Sequence, residues 1–447
     1  MVLLLGWRRT VAKLTGEPVE ASPQIPLAPE HPVGSATIRI VEGKHLNHVP
    51  GFKANGVWAQ IKKKSRDVCL IVSDRPSKGA AVFTQNAFCA APVIVSRENV
   101  ENGDIRAIVC NAGNANAVTG EQGLKDARAM AAEAAKATGL TPDQFIVCST
   151  GIIGRPMPME KVLAGIRDSA KVLGDAVGGE AAEAITTTDS HPKTVFVEVS
   201  VPPAAGEKKG RTFHIAGIAK GAGMIHPNMA TMLSFLVTDA PMNATFLNAN
   251  LKEAVNATFN MITIDGDQST NDTCAIIANG AAGGANLRKG TPEAAAFQEG
   301  LTLACKTLAK MIAGDGEGAT ALLEVAVEGA VSLEDARTIA RSVAKSNLVK
   351  SALHGKDPNW GRIVAAVGSC GAHVEPGKVS VRFESALGSV PVLDKGEPLA
   401  RLKEANAALQ TRDVRILVSL GLGPHKAEAW GCDLSEEYVT FNSAYST

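Results

Sequence analysis

Aromatic side chains make up only 4% of this 447-residue chain, and just two of them are tyrosines, which leaves little with which to stack nucleobases. Charge bias is absent too. The chain has 45 Lys and Arg against 45 Asp and Glu, a formal net charge of +0, so it lacks the electrostatic footprint of a nucleic-acid or membrane-surface binder. No apolar run is long enough to cross a bilayer, so no membrane partner is expected. The eight cysteines (Cys69, Cys89, Cys110, Cys148, Cys274, Cys305, Cys370 and Cys432) form no CxxC pair and have no zinc-type spacing with histidine. They read as reduced, mostly buried thiols of a reducing compartment. The Asp265-Gly266-Asp267 stretch lacks the twelfth-position ligand and the flanking helix pair of a calcium loop, so no metal is expected there. Gly421-Leu422-Gly423 follows a strand-like run but has no Walker Lys-Ser/Thr behind it.

What is present is a chain that is 45% hydrophobic, rich in Ala, Gly and Val, and long enough for two or more domains. Residues 1–48 are punctuated by Pro and charge and read as a peripheral extension. Within residues 1–16, Arg8, Arg9 and Lys13 lie among apolar residues with no acid. Such a start resembles an organellar presequence, for the mitochondrial matrix or a plastid, although it is short and poor in Ser. A cytoplasmic protein with a ragged extension is the alternative.

From Gly51 onward short strands and helices alternate. Strands are expected at 67–73, 79–83, 91–95, 105–110, 144–148, 195–201, 213–218 and 232–237, with a turn segment at 202–210 and a loop at 111–117. Helices are expected at 121–138, 243–261, 291–312 and 333–353. From about residue 360 a smaller α/β unit is expected, with strands at 378–383 and 414–420 around a helix at 398–409. This alternation argues for α/β layers, and no internal repeat is visible.

The most informative stretch is 220–234, Lys-Gly-Ala-Gly-Met-Ile-His-Pro-Asn-Met-Ala-Thr-Met-Leu-Ser. A small-residue loop leads into Ala230-Thr231, and an apolar strand follows. Read locally, it is a turn before a buried strand. If the bond before Thr231 breaks, that residue carries both a hydroxyl nucleophile and a base, its own α-amine, which titrates near pH ~7.7.

This stretch resembles the self-cleavage segment of the ornithine acetyltransferase family (ArgJ), also called glutamate N-acetyltransferase. The likeness extends over roughly residues 51–447. It implies a layered α-β-β-α sandwich of the DmpA/ArgJ type, cut between Ala230 and Thr231 into an α chain (49–230) and a β chain (231–447), assembled as α2β2. It implies that Thr231 is the nucleophile, with Thr150 and Gly151 of Ser149-Thr150-Gly151 as the oxyanion hole. Lys220 would hold the substrate α-carboxylate. Thr187, or its neighbour Thr186 in 185–192, would contact substrate. Glu317, in a Gly-rich acidic loop at 314–320, would hold the ornithine δ-ammonium. The tail would fold into the site through Asn442 and Thr447.

The activity so implied moves an acetyl group from N2-acetylornithine to glutamate by a ping-pong route through acetyl-Thr231, without a cofactor, in arginine biosynthesis. Some members of the family also take acetyl-CoA as donor, and the sequence leaves both donors open. Two rival readings remain: a self-processed amidase or aminopeptidase of the related fold, and a ligand-binding protein that is never cut.

Overall fold

The computed structural model describes residues 31–33, 36–101, 103–174, 179–203, 209–226 and 232–444. Residues 1–30, Ala230, Thr231 and Thr447 therefore lie outside the described residues. In chain order, the first part gives β1 (His31–Val33), β2 (Ala36–Ile40), β3 (Phe52–Val57), β4 (Val68–Ser73), β5 (Lys78–Phe83), α1 (Ala91–Glu101), β6 (Ala107–Asn114), α2 (Gly120–Thr138), β7 (Phe145–Ile152) and α3 (Met159–Lys171). There follow α4 (Glu180–Ile185), β8 (Lys193–Val201), β9 (Arg211–Lys220), β10 (Leu233–Thr238), α5 (Ala244–Ala257), β11 (Thr273–Ala278) and α6 (Pro292–Gly314). The last part is β12 (Leu322–Ala330), α7 (Leu333–Lys345), α8 (Asn347–His354), α9 (Trp360–Gly368), β13 (Ser380–Ser385), β14 (Gly388–Asp394), β15 (Glu397–Pro398), α10 (Leu402–Ala408), β16 (Asp413–Ser419), β17 (His425–Cys432) and α11 (Glu436–Ala444).

Three sheets result. One runs β1-β2-β8-β9-β10-β11-β5, one β3-β4-β6-β7, and one β15-β14-β13-β16-β12-β17. The first two stack, and the two-residue period of a strand accounts for it. On the four-stranded sheet Cys69, Ile71, Ile108, Cys110, Ile146 and Cys148 face Phe196, Ile218, Phe235, Val237 and Ile277 of the seven-stranded sheet. Their neighbours Val68, Leu70, Val109, Phe145 and Val147 face the other way, against Met130 and Ala134 of α2 and Val162 and Ile166 of α3. On the far side of the seven-stranded sheet, Phe213, Ile215, Leu236 and Ile276 meet Leu247 and Leu251 of α5 and Leu301, Leu308 and Ile312 of α6. The layer order is helices, sheet, sheet, helices, the α-β-β-α arrangement. Strands covered on both faces carry no polar stripe, which is why they read as plain apolar runs in the sequence.

Several elements differ from expectation. Residues 91–95 begin helix α1 instead of a strand. Its β-branched Val93 and Val95 are buried, Pro92 sits in the first turn where its missing N–H is not needed, and Ser96 Oγ donates to Val147 O at 2.7 Å. Tertiary packing overrides local propensity there. The expected loop at 111–117 is strand as far as Asn114. The single helix at 333–353 is two, because Ser346 leaves helical geometry and its side chain caps α8 by accepting the Val349 N–H. Residues 1–48 are not peripheral throughout: β2 pairs with β8, and Ile38 is fully buried. The C-terminal sheet recruits β12, paired with β16 and β17, so that unit starts well before residue 360.

Candidate active site

A cavity of about 230 Å³ opens where the ends of several elements converge. Thr150 and Gly151 lie on it from β7, Thr187 and Thr188 from the segment after α4, and Lys220 from the end of β9. Glu317 enters from the loop after α6, and Tyr438 and Asn442 from α11. Met232, the residue that follows Thr231 in sequence, is part of the same wall. A second hollow of about 520 Å³ lies beside Trp58 and Glu180, but its Arg66 and Glu183 are paired with each other.

The Thr150-Gly151 segment was expected just beyond a strand, but it belongs to β7 itself, at an irregularity in the β6–β7 pairing. Gly151 has φ +132°, and a Cβ there would lie 2.4 Å from Gly113 C and 2.6 Å from Asn114 N. Only glycine fits that close approach of two backbones. The segment is held from below. Ser149 Oγ donates to Asn111 Oδ1 at 2.6 Å, and Asn271 Nδ2 donates to Ser149 O at 2.9 Å and Ala115 O at 2.5 Å.

The two threonine candidates separate. Thr186 Oγ1 donates to Glu183 O at 2.7 Å, closing the end of α4, whereas Thr187 lines the cavity. Glu317 is buried; its Oε2 accepts Asn442 Nδ2 at 2.9 Å, and its N–H donates to Ala222 O at 2.8 Å. That bond ties the C-terminal helix to the acidic loop across 125 residues of sequence.

Sequence reading missed the acids that hold the backbone in place. Asp265 accepts the Met224 N–H at 2.5 Å and the Ile225 N–H at 2.9 Å. It thereby holds Met224 at φ +54°, a left-handed conformation that is strained for this side chain. Burial pushes the Asp265 carboxyl up, against downward pulls from those N–H groups and that of Asp267. Asp272 also lines the cavity and is fully buried, with Oδ2 lacking a hydrogen-bond partner. Burial pushes it well above the usual carboxylate range, despite the pull of Ser269, Lys220, Thr84 and the Met232 N–H. The Tyr438 phenol is pushed up by burial and by Asp265, Glu317 and Asp267. The repeated acids in 265–272 were the visible signal: the sequence suggests a loop that positions the pocket and no calcium site, but not which backbone groups the acids hold. Among the described residues no cluster of metal-ligating side chains is found.

Chemically, the cavity is lined by a threonine and a glycine side by side at Thr150-Gly151, by the basic Lys220 and by the acidic Glu317. That set suits a zwitterionic amino acid with a second charge, and an acyl group whose carbonyl becomes an oxyanion.

The chain is 46% identical over 411 residues to the arginine biosynthesis bifunctional protein ArgJ of Caldanaerobacter subterraneus, covering 92% of this chain and 100% of that one. It is 46% identical over 420 residues to the mitochondrial protein of the same name from Neurospora crassa, covering 89% and 88%. A crystal structure of the Bacillus halodurans ArgJ protein is 41% identical and spans 46% of this chain and 96% of its own, with a TM-score of 0.45. The ArgJ family profile matches residues 53–447, and the chain belongs to the ArgJ family.

Proposed function

We propose that this chain is a glutamate N-acetyltransferase of arginine biosynthesis, which moves the acetyl group of N2-acetylornithine to glutamate. The observation that carries the reading is the convergence of Thr150, Gly151, Thr187, Lys220, Glu317 and Asn442 on one cavity, with Met232 on its wall.

In the proposed cycle the bond between Ala230 and Thr231 is cut first, freeing the Thr231 α-amine. That amine takes the hydroxyl proton as Oγ bonds to the acetyl carbon, and the carbonyl electron pair moves to oxygen, held by Thr150 and the Gly151 N–H. The intermediate collapses, the amide C–N bond breaks, and the proton passes to the departing ornithine amine. Glutamate enters, its amine loses a proton to the Thr231 amine and attacks the ester, and Thr231 is regenerated. Lys220 holds the α-carboxylate of each amino acid, and Glu317, with Asn442, holds the ornithine δ-ammonium. The cut consumes one water, whose OH goes to the Ala230 carboxylate and whose H goes to the Thr231 amine; every later step uses groups of the chain and its substrates, and acetyl-CoA is the second candidate donor.

The cut is compatible with an intact fold. β9 and β10 flank it as antiparallel neighbours, with Lys220 opposite Leu233, so both products stay hydrogen-bonded in one sheet. We propose that the two fragments assemble as α2β2, and that the basic start at residues 1–16 directs the chain to an organelle, in line with the mitochondrial designation of the Neurospora crassa relative.

Intact-mass spectrometry tests the reading. A fragment beginning at Thr231, which gains one acetyl group from acetylornithine in the absence of glutamate, is expected. Thr231→Ala should remain uncut and inactive. Turnover by that variant, or a stoichiometric acetyl label on a cysteine, would sink the mechanism.

A further inference from the structure

Lys193 opens β8 with a side chain that has 0% exposure. Its Nζ donates to Asp189 Oδ1 at 2.6 Å and to Asp315 Oδ2 at 2.7 Å. Asp189 does more: Oδ1 also accepts the Gly221 N–H at 2.7 Å, and Oδ2 accepts the Thr187 N–H at 3.0 Å. Asp315 Oδ2 accepts the Ser190 N–H at 3.0 Å, its Oδ1 accepts the Ser190 hydroxyl, and His191 Nδ1 lies 3.4 Å from Oδ1. One ammonium thus joins the three loops that carry Thr187, Lys220 and Glu317.

The charges are arranged unevenly. Burial alone would raise the Asp189 carboxyl, but Lys193, Lys220 and the hydrogen bonds from Lys193 and Gly221 hold it well below the usual range. Asp189 therefore feels Lys193, Lys220 and Lys62, and of the three it is hydrogen-bonded to Lys193. Lys62 donates to Thr186 O at 3.0 Å, and Lys220 faces the cavity. Two carboxylates on one ammonium leave that cluster a charge of minus one, with Lys220 and Lys62 as the neighbouring cations. If Lys193 were apolar, Asp189 would draw Lys220 to itself, because an uncompensated buried carboxylate is strongly disfavoured.

We propose that Lys193 is a positioning residue of this site: by satisfying Asp189 it leaves Lys220 for the ligand carboxylate, and by bridging Asp189 to Asp315 it sets the separation of Lys220 from Glu317. That separation measures the distance between the two ends of the amino acid, so Lys193 governs chain-length selectivity. The inference rests on the reading of Lys220 and Glu317 as the groups that hold those two ends.

The test uses the full chain in three variants. Lys193→Met removes the bridge. Lys193→Met with Asp315→Asn removes it while restoring local neutrality. Asp189→Asn removes the charge but keeps one acceptor oxygen, which can still take the Lys193 and Gly221 bonds, while the amide NH2 replaces the oxygen that accepts the Thr187 N–H. Cleavage and thermal melting are checked first. Then kcat and KM are measured on the N2-acetyl derivatives of 2,4-diaminobutyrate, ornithine and lysine. Lys193→Met variants that fold should raise KM for acetylornithine tenfold or more with a smaller change in kcat. They should also bring the three kcat/KM values closer together. A wild-type length preference in every folded, cleaved variant overturns the proposal, as does failure of all three to fold, which would make the cluster a folding element only. Lys220→Met and Glu317→Gln in the wild-type background separate the two levels. If neither alters KM or length preference, the underlying site reading fails, whatever Lys193 does.

Discussion

Gly223→Ala is a sharp test of how Glu317 is held. A Cβ on residue 223 would fall 2.5 Å from Glu317 Oε2 and 2.6 Å from its Cδ and Oε1. An ordinary C···O contact is about 3.4 Å, so the carboxylate must retreat by about 0.9 Å. It is the far end of a side chain and can do so, but its 2.9 Å bond from Asn442 then lengthens or breaks. A hydrogen bond to a charged group contributes about 1.5–3 kcal/mol, so the loss is roughly 10- to 150-fold in kcat/KM for acetylornithine. Glutamate has no terminal ammonium for Glu317 to hold, so its half-reaction should change much less. The fold should be unharmed, since replacing Gly by Ala at a compatible conformation is neutral or stabilising by about 0.4–1 kcal/mol. Acetyl-enzyme formation from acetylornithine and its discharge by glutamate, measured separately by rapid quench and mass spectrometry, give the two numbers. Equal losses in both half-reactions, or a fall in melting temperature that accounts for the lost activity, would refute the reasoning.

Gly151→Ala should behave differently, because its new Cβ meets backbone and not a movable side-chain end. Positive-φ strain of about 1–3 kcal/mol plus overpacking of similar size gives a destabilisation of about 2–6 kcal/mol, read from the urea midpoint. Any folded fraction should lose about 10²–10³ in kcat through the displaced N–H, and wild-type values of both would remove Gly151 from the oxyanion site. Asp272→Asn tests the buried acid by pH. A carboxyl whose pKa is raised in the folded state contributes stability that is fully present below its unfolded value, near ~3.9, and is lost as pH rises through the folded value. Asparagine does not titrate, so the variant should gain on wild type from pH 5 to pH 8 in urea unfolding. A pH-independent difference would contradict a carboxyl that burial holds above its usual range.

Much of the strand pattern was legible because these strands are short apolar runs bounded by turns, as at 68–73 and 233–238. Capping residues were legible as well: Asn243 and Thr291 accept the Phe246 and Ala294 N–H groups at the starts of α5 and α6. Residues 91–95 misled because their valines suit a strand, and only packing against β7 makes that stretch a helix. The acids at 265–272 were visible as a run, but the partners of Asp189, Asp265 and Asp315 were not, since they are backbone N–H groups and a lysine that no spacing rule identifies. Thr187 and Thr186 are equivalent as letters. They part only when α4 ends on Thr186 and the chain turns the next residue to the cavity.

The sequence by itself determined the layered α/β class, because short apolar runs alternating with helical stretches are local patterns, and it suggested the chemistry at Ala230-Thr231 only through resemblance to a family. Tertiary structure alone decided that Thr150, Lys220, Glu317 and Asn442 share a cavity and that Lys193 ties together the segments carrying Thr187, Lys220 and Glu317. Those arrangements depend on contacts such as Lys193 with Asp315 and Glu317 with Asn442, across 122 and 125 residues. Only closure of the whole core brings such partners within hydrogen-bonding distance.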